Sequence, residues 1–409
     1  MAKTATSKTM QPEKIREELL TGCEAVANAV ALADVDVVSA YPIRPYTEVM
    51  DLISKFIADG KLNAEYIIAD GEHSQFEIVK HASAVGARTF VGSSGTGWMY
   101  AMEVLSVTAS DRLPVVAIVG NRALDDPGAF GVEHNDALAV RDLGWLLNWV
   151  STAQEALDTT LVAYRVAEDP KVRFPIALAL DGSFLTHSQH MVKIPPKELV
   201  KKYIPPYDLG SRRLHPDNPI SIAPQVNEDW VMEIRKQNAE ATKKTPSVIE
   251  KAYNEFEETF DRSLGDPWVE EHMMEDAEVA VIGMGTLAMP AKAAIKRLRA
   301  KGIKAGMIRP KWFRPFPTER LQKSLSNVGS VAVIDRDFAY GSPFYGGVLY
   351  SEIRSVLYSA PKKPTITNFI AGLGGREITT SNVIEMVDLT LQEKKAGNDG
   401  YVKWMGVRE

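Results

Sequence analysis

Two hydrophobic rhythms alternate along the first 190 residues. A helical period covers residues 13–31, 47–58, 74–85, 97–110 and 153–167. Between these lie short apolar, β-branched runs at 35–40, 66–69, 89–91, 115–119 and 176–180. Apolar strands separated by helices predict a parallel sheet covered on both faces, an α/β fold. From residue 193 to 274 the rhythm stops. Repeated prolines (Pro195, Pro196, Pro205, Pro206, Pro216, Pro219, Pro224) argue against regular structure, and a charged, helix-favouring stretch at 227–260 follows. Strand candidates return at 279–282, 304–308, 331–334 and 365–370, again separated by helices. The expected organisation is an α/β domain at 12–192, a connection with one or two helices at 193–274, a second α/β domain at 275–395, and a tail at 396–409.

Composition narrows the function. The chain of 409 residues has room for two domains, and 45% apolar with 24% charged residues is ordinary for a globular protein. A net charge of −6 without a concentrated basic stretch excludes nucleic acid and anionic membranes as expected partners. No apolar run approaches the roughly 18 residues of a membrane span. The polar stretch Met1 to Gln11 lacks a signal core, so a cytoplasmic location is expected. The single cysteine, Cys23, lies in an apolar helical pattern and should be packed. One thiol cannot ligate an iron–sulfur cluster, which takes about four. Any cluster this protein uses must sit on another chain.

Several loops stand where an α/β protein binds ligands, beyond strand carboxyl ends. Tyr41-Pro42-Ile43-Arg44-Pro45-Tyr46 follows the strand near Ala40, and Arg44 there could fork onto a carboxylate. By itself the motif reads more simply as a surface arginine in an extended turn. Glu72 opens a helix, which dipole stabilisation alone would explain. Ser93-Ser94-Gly95-Thr96-Gly97 is a small-residue loop suited to close ligand approach, and Arg122 follows the strand at 115–119. His187 and His190 are three apart, but no third ligand is evident, so no metal site is expected. Gly283-Met284-Gly285-Thr286 has Ala288 where a dinucleotide fingerprint needs glycine, which disfavours a nicotinamide dehydrogenase.

Read together, these pieces resemble the α subunit of the pyruvate:ferredoxin oxidoreductase family. The resemblance includes Y-P-I-x-P at Tyr41 to Pro45, Glu72 before Gly86-Ala87, the Ser93–Gly97 loop and Asn121-Arg122. It continues through Glu133-His134-Asn135-Asp136, Arg314-Pro315-Phe316-Pro317 and Gly372-Leu373-Gly374-Gly375-Arg376. It implies a thiamine-diphosphate-binding domain followed by a transketolase-C-terminal-like domain. Glu72 then matches the glutamate that bonds the aminopyrimidine ring and promotes loss of the thiazolium C2 proton. Arg122 matches the arginine that holds the substrate carboxylate. Tyr41 and Arg44 belong to the loop that covers substrate, and Pro42, Ile43, Ser94 and Gly95 line the cofactor. The family's G-D-G for Mg²⁺ and diphosphate is absent. The resemblance therefore implies a cofactor shared with a β subunit that carries Mg²⁺ and a [4Fe-4S] cluster, with ferredoxin-like and γ-type subunits and ferredoxin as acceptor.

One departure concerns substrate. Pyruvate enzymes of the family carry threonine where this chain has Arg44. A buried guanidinium facing a methyl group would cost roughly 3–5 kcal/mol. Two arginines suit a dicarboxylate, and the pairing looks like that of oxalate oxidoreductase, which oxidises oxalate to two CO₂. Pyruvate or a larger 2-oxoacid is the alternative, with Arg44 turned away or paired with Asp125 or Asp126. A non-catalytic scaffold that kept the fold is a further one.

Overall fold

The computed structural model describes residues 15–125 and 127–408. Two large sheets, with one hydrophobic cluster running between them, carry most of the fold. The first sheet has seven strands in the order Trp312–Arg314, Leu146–Trp149, Ile176–Asp181, Val116–Asn121, Thr89–Ser93, Val37–Ala40, Glu65–Ile68. All neighbours are parallel except the first pair. Every position of Ile176–Asp181 and Val116–Asn121 is buried, which is why these runs are apolar up to their polar last residues rather than alternating. Glu65–Ile68 forms an edge and is mostly exposed.

The second sheet has six strands, Val402–Trp404, Thr365–Ile370, Ser330–Asp335, Val279–Ile282, Ala305–Pro310 and Val269–His272, with only the last pair antiparallel. One face packs toward the first sheet: Phe76, Trp98 and Trp145 belong to the same cluster as Ile282, Ile308, Phe313 and Val333. Its other face is covered by the helices Ala288–Ala300 and Thr380–Ala396. The α/β class and a second α/β unit are thus present.

Several local expectations change. Residues 13–31 are not one helix. Arg16–Leu20 is a strand paired antiparallel with His190–Ile194, and the helix Gly22–Leu32 begins at a capping box between Thr21 and Glu24. The strand partner lies some 170 residues away, beyond the reach of local periodicity. The helical run 97–110 breaks at Ala101 into Gly95–Tyr100 and Met102–Ser110. The connection holds three longer helices, Lys197–Tyr203, Glu228–Thr242 and Thr245–Phe260, where one or two were expected. Residues 396–409, expected as a tail, supply the strand Val402–Trp404. Met1 to Gln11, with residues up to 14, lies outside the described residues. Among the described residues no helix is long and apolar enough to cross a membrane.

Asp181, at the carboxyl end of a central strand, joins the two halves. It accepts hydrogen bonds from His134 Nε2 at 2.9 Å, Thr286 N at 2.9 Å and Arg336 Nη1 at 2.6 Å, all buried. The Gly283–Thr286 turn, which resembled half a dinucleotide loop, serves this junction instead. Burial alone would raise the Asp181 carboxyl, but His134 and Arg336 hold it below the usual carboxylate range. Its stabilisation is therefore present above the unfolded value of about 3.9 and lost as pH falls toward the folded one. Asp181→Asn leaves Arg336 buried without its carboxylate and should cost about 3–5 kcal/mol at pH 7. Urea unfolding at pH 7 and below pH 4 checks this, the difference from wild type shrinking at the lower pH.

Candidate active site at the carboxyl edge of the first sheet

Strand order locates the site before any side chain is considered. Val37–Ala40 pairs with Glu65–Ile68 on one side and with Thr89–Ser93 on the other, so the chain reverses direction across it. A crevice opens at such a switch point, beyond the strand carboxyl ends. Three of the loops singled out from sequence meet there: 41–46, 69–72 and 94–97.

Glu72 is the first residue of the helix Glu72–Ala84 and is 8% exposed. A β-carbon at Gly97 would overlap its Oε1 and lie 2.8 Å from Ile43 Cδ1. Only glycine lets the helix Gly95–Tyr100 approach the carboxylate this closely. Among the described residues no donor reaches that carboxylate. Ser94 is fully buried and its Oγ also lacks a partner. A ligand entering the crevice would find both groups free to bond it. Ile43 is half-buried against the first core, Tyr41 is half-buried, and Pro42 is exposed.

Arg122 is 7% exposed, and its Nη1 donates to the Arg44 carbonyl at 3.3 Å, joining the two arginine-bearing loops. Its Nη2 donates to Asp125 Oδ2 at 3.1 Å, its Nε is buried without a partner, and the guanidinium lies 5.3 Å from the Phe130 ring centre. Asp125 also accepts from Thr96 Oγ1 at 3.1 Å. Arg44 is exposed, and no carboxylate among the described residues pairs with its guanidinium. Asp125 is committed to Arg122, and Asp126 lies outside the described residues.

Sequence reasoning missed the group that holds these loops together. Asp136, fully buried, accepts from Gly95 N (3.0 Å), Arg122 N (3.1 Å), Asn121 Nδ2 (2.7 Å) and Ala137 N (2.7 Å). Burial pushes its carboxyl up to about 6 despite these donors. No spacing rule links residues 95, 121 and 136, so only its place in an acidic motif hinted at it. The two histidines do not share a helix face. His187 sits in a turn beside Thr186 and Glu48, whereas His190 opens a strand. Cys23 is buried as expected, its Sγ 3.6 Å from the Pro45 carbonyl.

With this geometry in hand, similarity to known proteins is informative. A family model described as pyruvate flavodoxin/ferredoxin oxidoreductase, thiamine diphosphate-binding, matches residues 28–254. A second, pyruvate:ferredoxin oxidoreductase core domain II, matches 277–383. The pyruvate synthase subunit PorA of Methanocaldococcus jannaschii is 36% identical over 392 residues, 96% of this chain and 98% of its own. The ketoisovalerate oxidoreductase subunit VorA of Pyrococcus abyssi is 34% identical over 393 residues, covering 95% and 97%. Among solved structures, the 2-oxoglutarate:ferredoxin oxidoreductase from Magnetococcus marinus superposes with a TM-score of 0.67 at 18% identity, over 96% of this chain and 68% of that one. A split-gene transketolase gives 0.56 at 14%, over 92% and 99%. These two show the fold. The chain therefore belongs to the pyruvate:ferredoxin oxidoreductase family, as an α-type subunit of a thiamine-diphosphate-dependent 2-oxoacid:ferredoxin oxidoreductase.

Proposed function

We propose that this subunit serves an enzyme that oxidises oxalate to two CO₂ and passes the electrons to iron–sulfur clusters and ferredoxin. The observation that carries the reading is Arg44: among the described residues no carboxylate pairs with its guanidinium, and its own carbonyl is held by the buried Arg122. Two guanidinium groups from loops joined in this way suit a small dianion, one per carboxylate. Asp125 is the local competitor for Arg122, and a substrate carboxylate takes its place there.

The cofactor fit rests on the chain's own groups. Glu72, buried between Gly97 and Ile43 with no donor of its own, is placed to accept a hydrogen bond from an aminopyrimidine ring. The buried Ser94 hydroxyl and the Gly95 turn line the same crevice. When bound, thiamine diphosphate supplies a nucleophilic carbon and an electron sink for decarboxylation. Glu72 sets the proton equilibrium of the ring, while Arg122 and Arg44 neutralise and orient the substrate.

Diphosphate, Mg²⁺ and clusters fall to partner chains, because this chain has neither G-D-G nor more than one cysteine. A partner has a suitable surface beside Glu72. Ile67, Ile68, Tyr100 and Met102 are exposed there on an edge strand and the neighbouring helices. A β subunit covering this side would exclude water from the crevice. The alternative substrate is pyruvate or a larger 2-oxoacid, favoured by the names of the relatives and by the exposure of Arg44. Viologen reduction by the anaerobically purified complex distinguishes them. Oxalate-dependent reduction is expected, and reduction with pyruvate alone would overturn the substrate while keeping the family.

A further inference from the structure

The second domain reaches into the loop that bears the substrate arginine. His134 N donates to Arg336 O at 2.8 Å, and Asn135 exchanges two hydrogen bonds with the backbone of Phe338. Gly375 N donates to Val132 O at 3.2 Å, and Gly374 N to Glu133 Oε1 at 2.8 Å. A β-carbon at Gly131 would overlap the Gly374 carbonyl, so the two backbones touch. On the inner side, Gly131 O accepts from Ala123 N at 3.0 Å, and Asp136 holds Arg122 N and Gly95 N. Both ends of the segment 123–131 are therefore tied to residues that the second domain grips. Arg122 stands at its start, and Phe130, against which the guanidinium packs, stands at its end.

We propose that the glycine corner Gly372–Gly375 of the second domain, acting through Glu133, Gly131 and Asp136, is a positioning element for Arg122. The grip on the substrate carboxylate is then set by how the two domains dock. The inference rests on reading Arg122 as the carboxylate-binding residue. Its physical basis is geometric. A long arginine side chain has much rotamer entropy to lose, and a misplacement of about 1 Å can cost on the order of 10²-fold in rate. A backbone fixed at both ends of the loop limits that loss. Glu133 accepts from Gly374 N and bonds none of Arg44, Glu72 or Arg122, so its removal tests the clamp.

The experiment uses the complex with its partner subunits and compares Glu133→Ala with Glu133→Gln, which keeps the acceptor for Gly374 N. Glu133→Ala should raise KM for the 2-oxoacid about tenfold, with kcat within about threefold of wild type. Thiamine diphosphate affinity by calorimetry should stay within about twofold, and deuterium uptake should rise in residues 122–136. Glu133→Gln should restore KM. In an Arg122→Lys background, Glu133→Ala should change KM less than about twofold, because coupled residues are non-additive. An unchanged KM, or an equal rise in both backgrounds, would overturn the positioning role. A wild-type complex inactive on any 2-oxoacid would instead remove the carboxylate reading of Arg122 and the inference with it.

Discussion

Arg44→Thr should lower kcat/KM for oxalate by about 10²–10³-fold, the equivalent of the roughly 3–4 kcal/mol carried by one charge-assisted pair in a closed site. The reasoning begins from the observed pairing. Asp125 takes Arg122 and Thr96, and among the described residues no carboxylate competes for the Arg44 guanidinium. A dianion entering the crevice meets one arginine that must exchange Asp125 and one that no described carboxylate holds. Loss of the second leaves a substrate carboxylate uncompensated in a water-poor site. The same variant should leave pyruvate turnover unchanged or improve it, since a methyl group gains nothing from a guanidinium. Steady-state viologen reduction with each substrate measures both. Equal losses for oxalate and pyruvate would mean that Arg44 supports the loop rather than recognises a second carboxylate.

Glu72→Gln should slow turnover by about 10²–10⁴-fold on any substrate, the range expected for a lost acid–base group. The glutamine is nearly isosteric, so the fit between Gly97 and Ile43 survives. It can still accept one hydrogen bond, but without the charge that favours the protonated ring. The discriminating measurement is deuterium exchange at the thiazolium C2 in the assembled complex, which should slow with turnover. Cofactor affinity measured by calorimetry should fall far less than the rate. Normal C2 exchange with lost turnover would place the function of Glu72 elsewhere.

Both predictions rest on residues that were visible in the chain before its structure. Arg44, Glu72 and Arg122 each follow an apolar strand, and the alternation of strands and helices was strong enough to place them at one edge of a parallel sheet. What they face was not visible. Of the two acids offered as partners for Arg44, the fold assigns Asp125 to Arg122 and Thr96 instead.

The sequence by itself determined the α/β class, most helices and buried strands of the first sheet, and a single cysteine, too few for a four-thiolate cluster. Those features follow from local periodicity and from counting, which need no knowledge of distant residues. Tertiary structure alone decided the rest. Arg16–Leu20 became a strand because His190–Ile194 pairs with it, and Trp312–Arg314 joined the first sheet although the chain had by then entered the second. Asp136 became the hub of the site because four donors from three loops converge on it. Strand pairing and buried carboxylate networks are contacts between residues far apart in the chain, so their energy has no local period from which to be read.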